Sequence, residues 1–184
     1  REIRWGTKQD RKMYYKTRKC FDCLVEEETQ LRLKGQYKLY EVRKMIENEL
    51  ATIHDSSRMA VVFERLSKVF ERQQQHHVSA FYNAKSAKLE NSEKKLTFAA
   101  QFYLQLMENE PSPSVQMWDA GEAIGCLEQS LKINPNNEEA KLALATVYVE
   151  GTGETMKGVQ MLLAITREKP DHIPANLLLG RMSI

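Results

Sequence analysis

Apolar residues return every three to four positions along most of this chain, which is the spacing of helices that each bury one face. Phe21, Leu24, Val25 and Leu31 mark one stripe, and Tyr37, Tyr40, Met45, Ile46, Leu50 and Ile53 a second. They predict helices over 20–34 and 37–53, separated by Lys34-Gly35-Gln36. His54-Asp55-Ser56-Ser57 interrupts the pattern and offers Asp or Ser as a cap for the next helix, so a domain boundary is placed there. From Met59 the stripe resumes with Val62, Phe63, Leu66, Val69 and Phe70, followed by the polar run Gln73 to His77. Val78, Phe81, Tyr82, Ala84 and Ala87 mark a further helix, and Asn91-Ser92 breaks it. Leu96, Ala99, Ala100, Tyr103, Leu104 and Met107 follow, up to the stop at Pro111-Ser112-Pro113. Segments of period two are few, and the chain is rich in good helix formers. The expected class is all-α.

The last third of the chain repeats itself. Asn134-Pro135-Asn136-Asn137-Glu138-Glu139-Ala140 returns as Lys169-Pro170-Asp171-His172-Ile173-Pro174-Ala175, at a period of 35 residues. Leu142 and Leu144 return as Leu177 and Leu179, and Ala145 as Gly180. Such a period is the signature of stacked helix pairs. Small residues let two helices approach closely, an aromatic fills the groove beside them, and a proline ends the second helix.

Ala145, Tyr148, Gly158, Leu162 and Pro170 resemble the tetratricopeptide family in this respect, whose unit is about 34 residues. Ala123, Leu127, Ser130 and Pro135 repeat the second-helix pattern one unit earlier. Ala87, Ala99, Tyr103 and Pro111 fit a still earlier copy, and the resemblance spans about residues 58–184. Leu142 to Glu150 and Lys157 to Leu163 look most like tetratricopeptide proteins of Bacteroidetes-type bacteria. Pro111 and Pro135, however, lie only 24 residues apart. Either Val115 to Leu131 forms one atypical helix pair, or residues are missing from this stretch. The expected architecture is an antiparallel helix-pair superhelix over 58–184, preceded by a small helical module at 20–54 and a basic arm at 1–19. Apolar Leu177 to Leu179 lack a second helix, so further repeats or a partner chain should cover them.

The resemblance implies a protein-binding scaffold, with a peptide or neighbouring subunit on the concave face formed by the first helices. On the family pattern Asn137, Lys141, Thr146, Asn176 and Arg181 are the inward-facing candidates, a mix of amides and cations suited to an acidic or extended peptide.

Charge adds a rival. Net charge is only +2, but the first twenty residues carry eight cations against two carboxylates. Arg11, Lys12, Lys16, Arg18 and Lys19, with Trp5, Tyr14 and Tyr15 nearby, could meet phosphates and stack on bases. The alternative function is therefore a nucleic-acid or ribonucleoprotein component acting through this arm; a solvated arm is the plainer account. Cys20-Phe21-Asp22-Cys23 has the spacing of half a zinc site, and with Trp5-Gly6-Thr7-Lys8 and Tyr14-Tyr15-Lys16-Thr17 faintly resembles small zinc-ribbon proteins of tailed phages. A structural zinc site takes four ligands, and a second pair is not visible, so no cofactor is expected and zinc is the secondary candidate. Cys126 reads as a small core residue.

No phosphate-binding glycine loop, nucleophile–base set or His pair at helical ligand spacing emerges, and His76 and His77 read as exposed. The expectation is a non-enzyme. Three cysteines fit a reducing compartment, and no run of roughly 18 apolar residues is present to span a membrane. A cytoplasmic location is expected. The chain opens on Arg1 rather than Met, which leaves room for an upstream segment.

Overall fold

The computed structural model describes residues 37–182. These form eight α-helices: α1 (Tyr37–Thr52), α2 (Ser56–Arg72), α3 (His76–Glu90), α4 (Glu93–Asn109), α5 (Pro113–Ile133), α6 (Glu138–Glu150), α7 (Thr155–Glu168) and α8 (Ile173–Arg181). No strand occurs among the described residues. Consecutive helices pack as the pairs α2/α3, α4/α5 and α6/α7. Helix α1 lies on α2 before the first pair, and α8 lies on α7 after the last.

The helix ends follow from local chemistry. Asp55 caps α2 by accepting from the Ser57 N–H at 3.1 Å, and Asn137 caps α6 by accepting from the Ala140 N–H at 2.9 Å. His172 caps α8 through Nδ1, which takes the Ala175 N–H at 3.2 Å. Pro113 and Pro174 sit in the first turns of α5 and α8, where a missing N–H costs nothing. Asn91 ends α3 in the left-handed region, at φ 50, which Asn tolerates better than most residues.

The interruption at residues 54–57 is a turn between packed helices. Ile46 of α1 is buried with Val62, Phe63, Leu66, Val69 and Phe70 of α2 and Val78 of α3, and Leu50 and Ile53 flank this cluster. The largest cluster runs from Ala80 of α3 through Leu96, Tyr103, Ala123 and Leu127 to Tyr148 of α6. A third joins Ala145, Leu162 and Ile165 to Ala175 and Leu178 of α8. Each fully buried Leu or Phe contributes about 1.5–3 kcal/mol, and these clusters overlap along the chain, so every pair is stabilised by its neighbours.

The structure corrects the reading of residues 111–135. Val115 to Leu131 is not a helix pair, because one 21-residue helix, α5, fills the whole stretch. Pro111 lies in the turn between α4 and α5, inside a pair, and does not close one. Gln116 secures that turn, its amide donating to the carbonyls of Glu110 at 2.6 Å and Met107 at 3.3 Å.

With that corrected, one pattern runs through all three pairs. Ser67, Ala100 and Ala145 each stand three residues before a buried aromatic: Phe70, Tyr103 and Tyr148. Ser79, Ala123 and Gly158 each stand 12 residues before a helix-ending residue: Asn91, Pro135 and Pro170. Within each pair the two small residues are buried together. The Ser67 and Ser79 hydroxyls are 3.1 Å apart, and a Cβ added to Gly158 would lie 2.7 Å from the Ala145 carbonyl oxygen. The aromatic-to-aromatic steps are 33 and 45 residues, the longer one reflecting the extended α4 and α5.

Candidate binding surface

Successive first helices, α2, α4, α6 and α8, are joined by polar contacts. Lys95 of α4 pairs with Glu64 of α2 at 3.7 Å. Gln101 of α4 donates to Glu139 of α6 at 2.5 Å, and Arg181 of α8 approaches Glu150 of α6 at 3.8 Å. Residues three, four and seven apart on a helix share a face. On α4 this places Phe98 beside Gln101, Phe102 and Gln105. The corresponding residues of α2, 33 positions earlier, are Arg65, Lys68, Val69 and Arg72.

Phe98 is the informative member: its ring is 61% exposed although α4 buries Leu96, Ala99, Ala100 and Tyr103. Val61 on the same side of α2 is 56% exposed. The neighbouring cations are solvated. Lys68 pairs with Glu64, and Arg65 with Glu49 of α1, both at 2.7 Å. Such exposed pairs contribute little to stability and stay available to a partner.

The five residues nominated from the sequence do not share one face. Thr146 and Arg181 occupy equivalent places 35 residues apart, and Gln101 occupies that place in α4. Thr146 is half-buried and returns its hydroxyl proton to the Leu142 carbonyl at 3.0 Å. Lys141 and Asn176 form a second equivalent set. Lys141 lines a cleft of about 310 Å3 with Leu131, Met161, Ile165 and Glu168, on the side of the second helices α5 and α7. Asn176 is exposed and donates to the Pro170 carbonyl at 2.7 Å, and it lines an open cleft of about 710 Å3 together with Arg181, so these two nominated residues are brought together on α8. Asn137 is committed to structure, because while capping α6 it also donates to Glu93 and to Thr97 of α4.

The candidate zinc pair Cys20 and Cys23 and the basic residues Arg11, Lys12, Lys16, Arg18 and Lys19 lie outside the described residues. Among the described residues no group of three or more His, Cys, Asp or Glu is placed to hold a metal ion. Cys126 is buried, and burial pushes its thiol up to about 11. No helix among the described residues is long and apolar enough to cross a membrane.

A polar cluster inside the fold was missed by the sequence reading. His77, expected in an exposed turn, is in the first turn of α3 and is half-buried. Its Nε2 is 3.0 Å from a Glu110 carboxylate oxygen, and its Nδ1 is 3.0 Å from Oδ2 of Asp119. Asp119 Oδ1 takes the aligned hydrogen bond at 3.2 Å, while Oδ2, though near, is out of line for one. Asp119 is completely buried on α5. One signal was available: Asp119 falls on the same stripe as Val115, Ala123 and Cys126, where an acid must find a partner.

Searches of protein-family models, curated proteins and solved structures returned no match to this chain.

Proposed function

We propose that this chain is a protein-interaction scaffold, and that the face of its first helices, centred on Phe98, receives an extended or helical segment of a partner. The carrying observation is the exposed Phe98 ring, which sits on a face where α2 supplies Arg65, Lys68 and Arg72. Exposed aromatics flanked by cations are common anchors at interfaces, and this pair of features suits a partner with an apolar side chain beside acidic ones. The repeated small residue, aromatic and helix stop support the tetratricopeptide resemblance, in which the first helices form the binding face. The reading is non-catalytic.

The test is selection of peptides from a displayed random library on the purified full chain. The expected result is an acidic consensus with one large apolar residue, whose binding is lost in Phe98→Glu and retained in Lys141→Glu. Circular dichroism should show both variants folded, since both positions lie at the surface. Peptides that bind Phe98→Glu as well as the parent chain, or that lose binding only in Lys141→Glu, would move the site to the cleft between α5 and α7.

A further inference from the structure

His77 stands where the first helix pair meets the second. The residue after it, Val78, belongs to the core of α1–α3, and Ala80 belongs to the core that continues through α4–α6. Its ring reaches away from its own pair to Asp119 of α5 and to Glu110 just beyond α4. A neutral imidazole has one N–H, so it can donate to one carboxylate only and must present a lone pair to the other. With Asp119 hydrogen-bonded to Nδ1 at 3.2 Å and a Glu110 oxygen 3.0 Å from Nε2, a carboxylate stands at each ring nitrogen, an arrangement that suits the doubly protonated ring.

We propose that His77 is a proton-operated latch between the first and second helix pairs, closed as the imidazolium between Asp119 and Glu110 and loosened when the ring loses a proton.

The surroundings favour this reading from every side that packs on α3. From α5, Asp119 faces the ring, with Glu122 in electrostatic reach of Asp119. From α4 and its end come Glu110 and the buried Tyr103 hydroxyl, which has no hydrogen-bond partner among the described residues. The turn between α2 and α3 presents Gln73 and Gln75, buried and uncharged, whereas Glu71 and Arg72 of α2 are exposed. On α3 itself, His76 is exposed. Burial alone would lower the affinity of His77 for its proton, but the bond and charge of Asp119, then the charge of Glu110, outweigh it and hold the ring above its ordinary 6.5. Burial also pushes the Asp119 carboxyl upward, partly opposed by His77. The sign is the same for both groups. A folded-state proton affinity raised above the unfolded value gives stability that is complete below the unfolded midpoint and is lost as pH rises through the folded one. Loss of the His77 proton leaves the buried Asp119 carboxylate without its counter-charge, which strains this joint more than an exposed pair would.

The experiment is an NMR titration of the imidazole signals in the intact chain, read for the parent, Asp119→Asn and Glu110→Gln, with the melting temperature followed over the same pH range. The expected result is that His77 titrates above the ordinary imidazole value of 6.5. Asp119→Asn should lower that midpoint more than Glu110→Gln does. The melting temperature of the parent should fall across the His77 titration, and amides at the start of α3 should exchange faster above it. A His77 midpoint at or below 6.5, or one unmoved by Asp119→Asn, overturns the latch. Should Asp119→Asn fail to fold, the parent titration and Glu110→Gln still decide the matter.

Discussion

Helices α2 and α3 meet at small residues, as do α6 and α7, but the two contacts differ in chemistry. In the second, Gly158 lets the α7 backbone lie against Ala145, and an added Cβ would fall 2.6 Å from Val149 Cγ2 and 2.7 Å from the Ala145 carbonyl oxygen. In the first, two serines meet instead, their hydroxyls 3.1 Å apart and both residues buried. Small size is the requirement common to both. The serine pair adds a buried hydrogen bond, which must be satisfied internally because water is excluded. The glycine contact spends no polar group, but it tolerates no added atom. One architecture thus rests on a polar contact at one end and a steric one at the other.

Substitutions should expose that difference. The largest effect is expected at Gly158→Ala. Alanine gains roughly 1 kcal/mol over glycine inside a helix, but the collision with backbone and Val149 exceeds that gain. A net loss of about 1–2 kcal/mol in denaturant unfolding is expected. At the other crossing, Ser79→Ala removes one hydroxyl and leaves Ser67 buried without its partner, for about 1 kcal/mol. The double variant Ser67→Ala, Ser79→Ala should recover most of that loss, since both polar groups leave together. A double variant that loses the sum of the single effects would show that the hydroxyls act independently. The smallest change, of opposite sign, is expected at Gly121→Ala on the exposed side of α5. There an added Cβ meets nothing within 4 Å, and helix propensity alone should add roughly 0.5–1 kcal/mol. Equal losses at Gly121 and Gly158 would mean that close approach is not what distinguishes them.

The same contrast explains what could be seen from the sequence. The all-α class was legible because apolar stripes at helical spacing survive any substitution that keeps them apolar. The repeat was legible from Ala123 onward, where the helix-ending residues are Pro135 and Pro170 and the small ones Ala or Gly. It was hidden earlier for two physical reasons. Asn91 ends α3 by adopting a left-handed conformation, which does the work of proline without its signature. Ser67 and Ser79 look polar in sequence, although their mutual hydrogen bond lets them be buried. The long α5 obscures it further, because Pro111 turns the chain within a pair and does not close one.

The candidate surface was legible in part. Thr146 and Arg181 do occupy equivalent places on successive first helices, whereas Asn137 is a cap and Lys141 faces the cleft between second helices. Phe98 lies beside the stripe of Leu96, Ala99, Ala100 and Tyr103, and local periodicity alone does not mark it as a surface anchor. Its exposure follows from register: Ala99, Ala100 and Tyr103 already fill the buried side of α4. His77 and Asp119 are 42 residues apart, and their meeting depends on how one helix pair sits on the next, which local periodicity does not encode.

Matched small residues bring paired helices together, and the serine contact between α2 and α3 is the least obvious case. The most direct measurement is disulfide formation in a chain carrying Ser67→Cys and Ser79→Cys, with Cys20, Cys23 and Cys126 replaced, followed by peptide mapping after mild oxidation. Hydroxyls at 3.1 Å keep the two side chains in direct contact, so cysteines at these positions need only a small adjustment to reach the roughly 3.5–4.5 Å Cβ separation of a disulfide. The expected result is a complete intramolecular cross-link with the helical circular dichroism unchanged. Free thiols after oxidation of the folded chain, or a cross-link that forms only when the chain is unfolded, would contradict it.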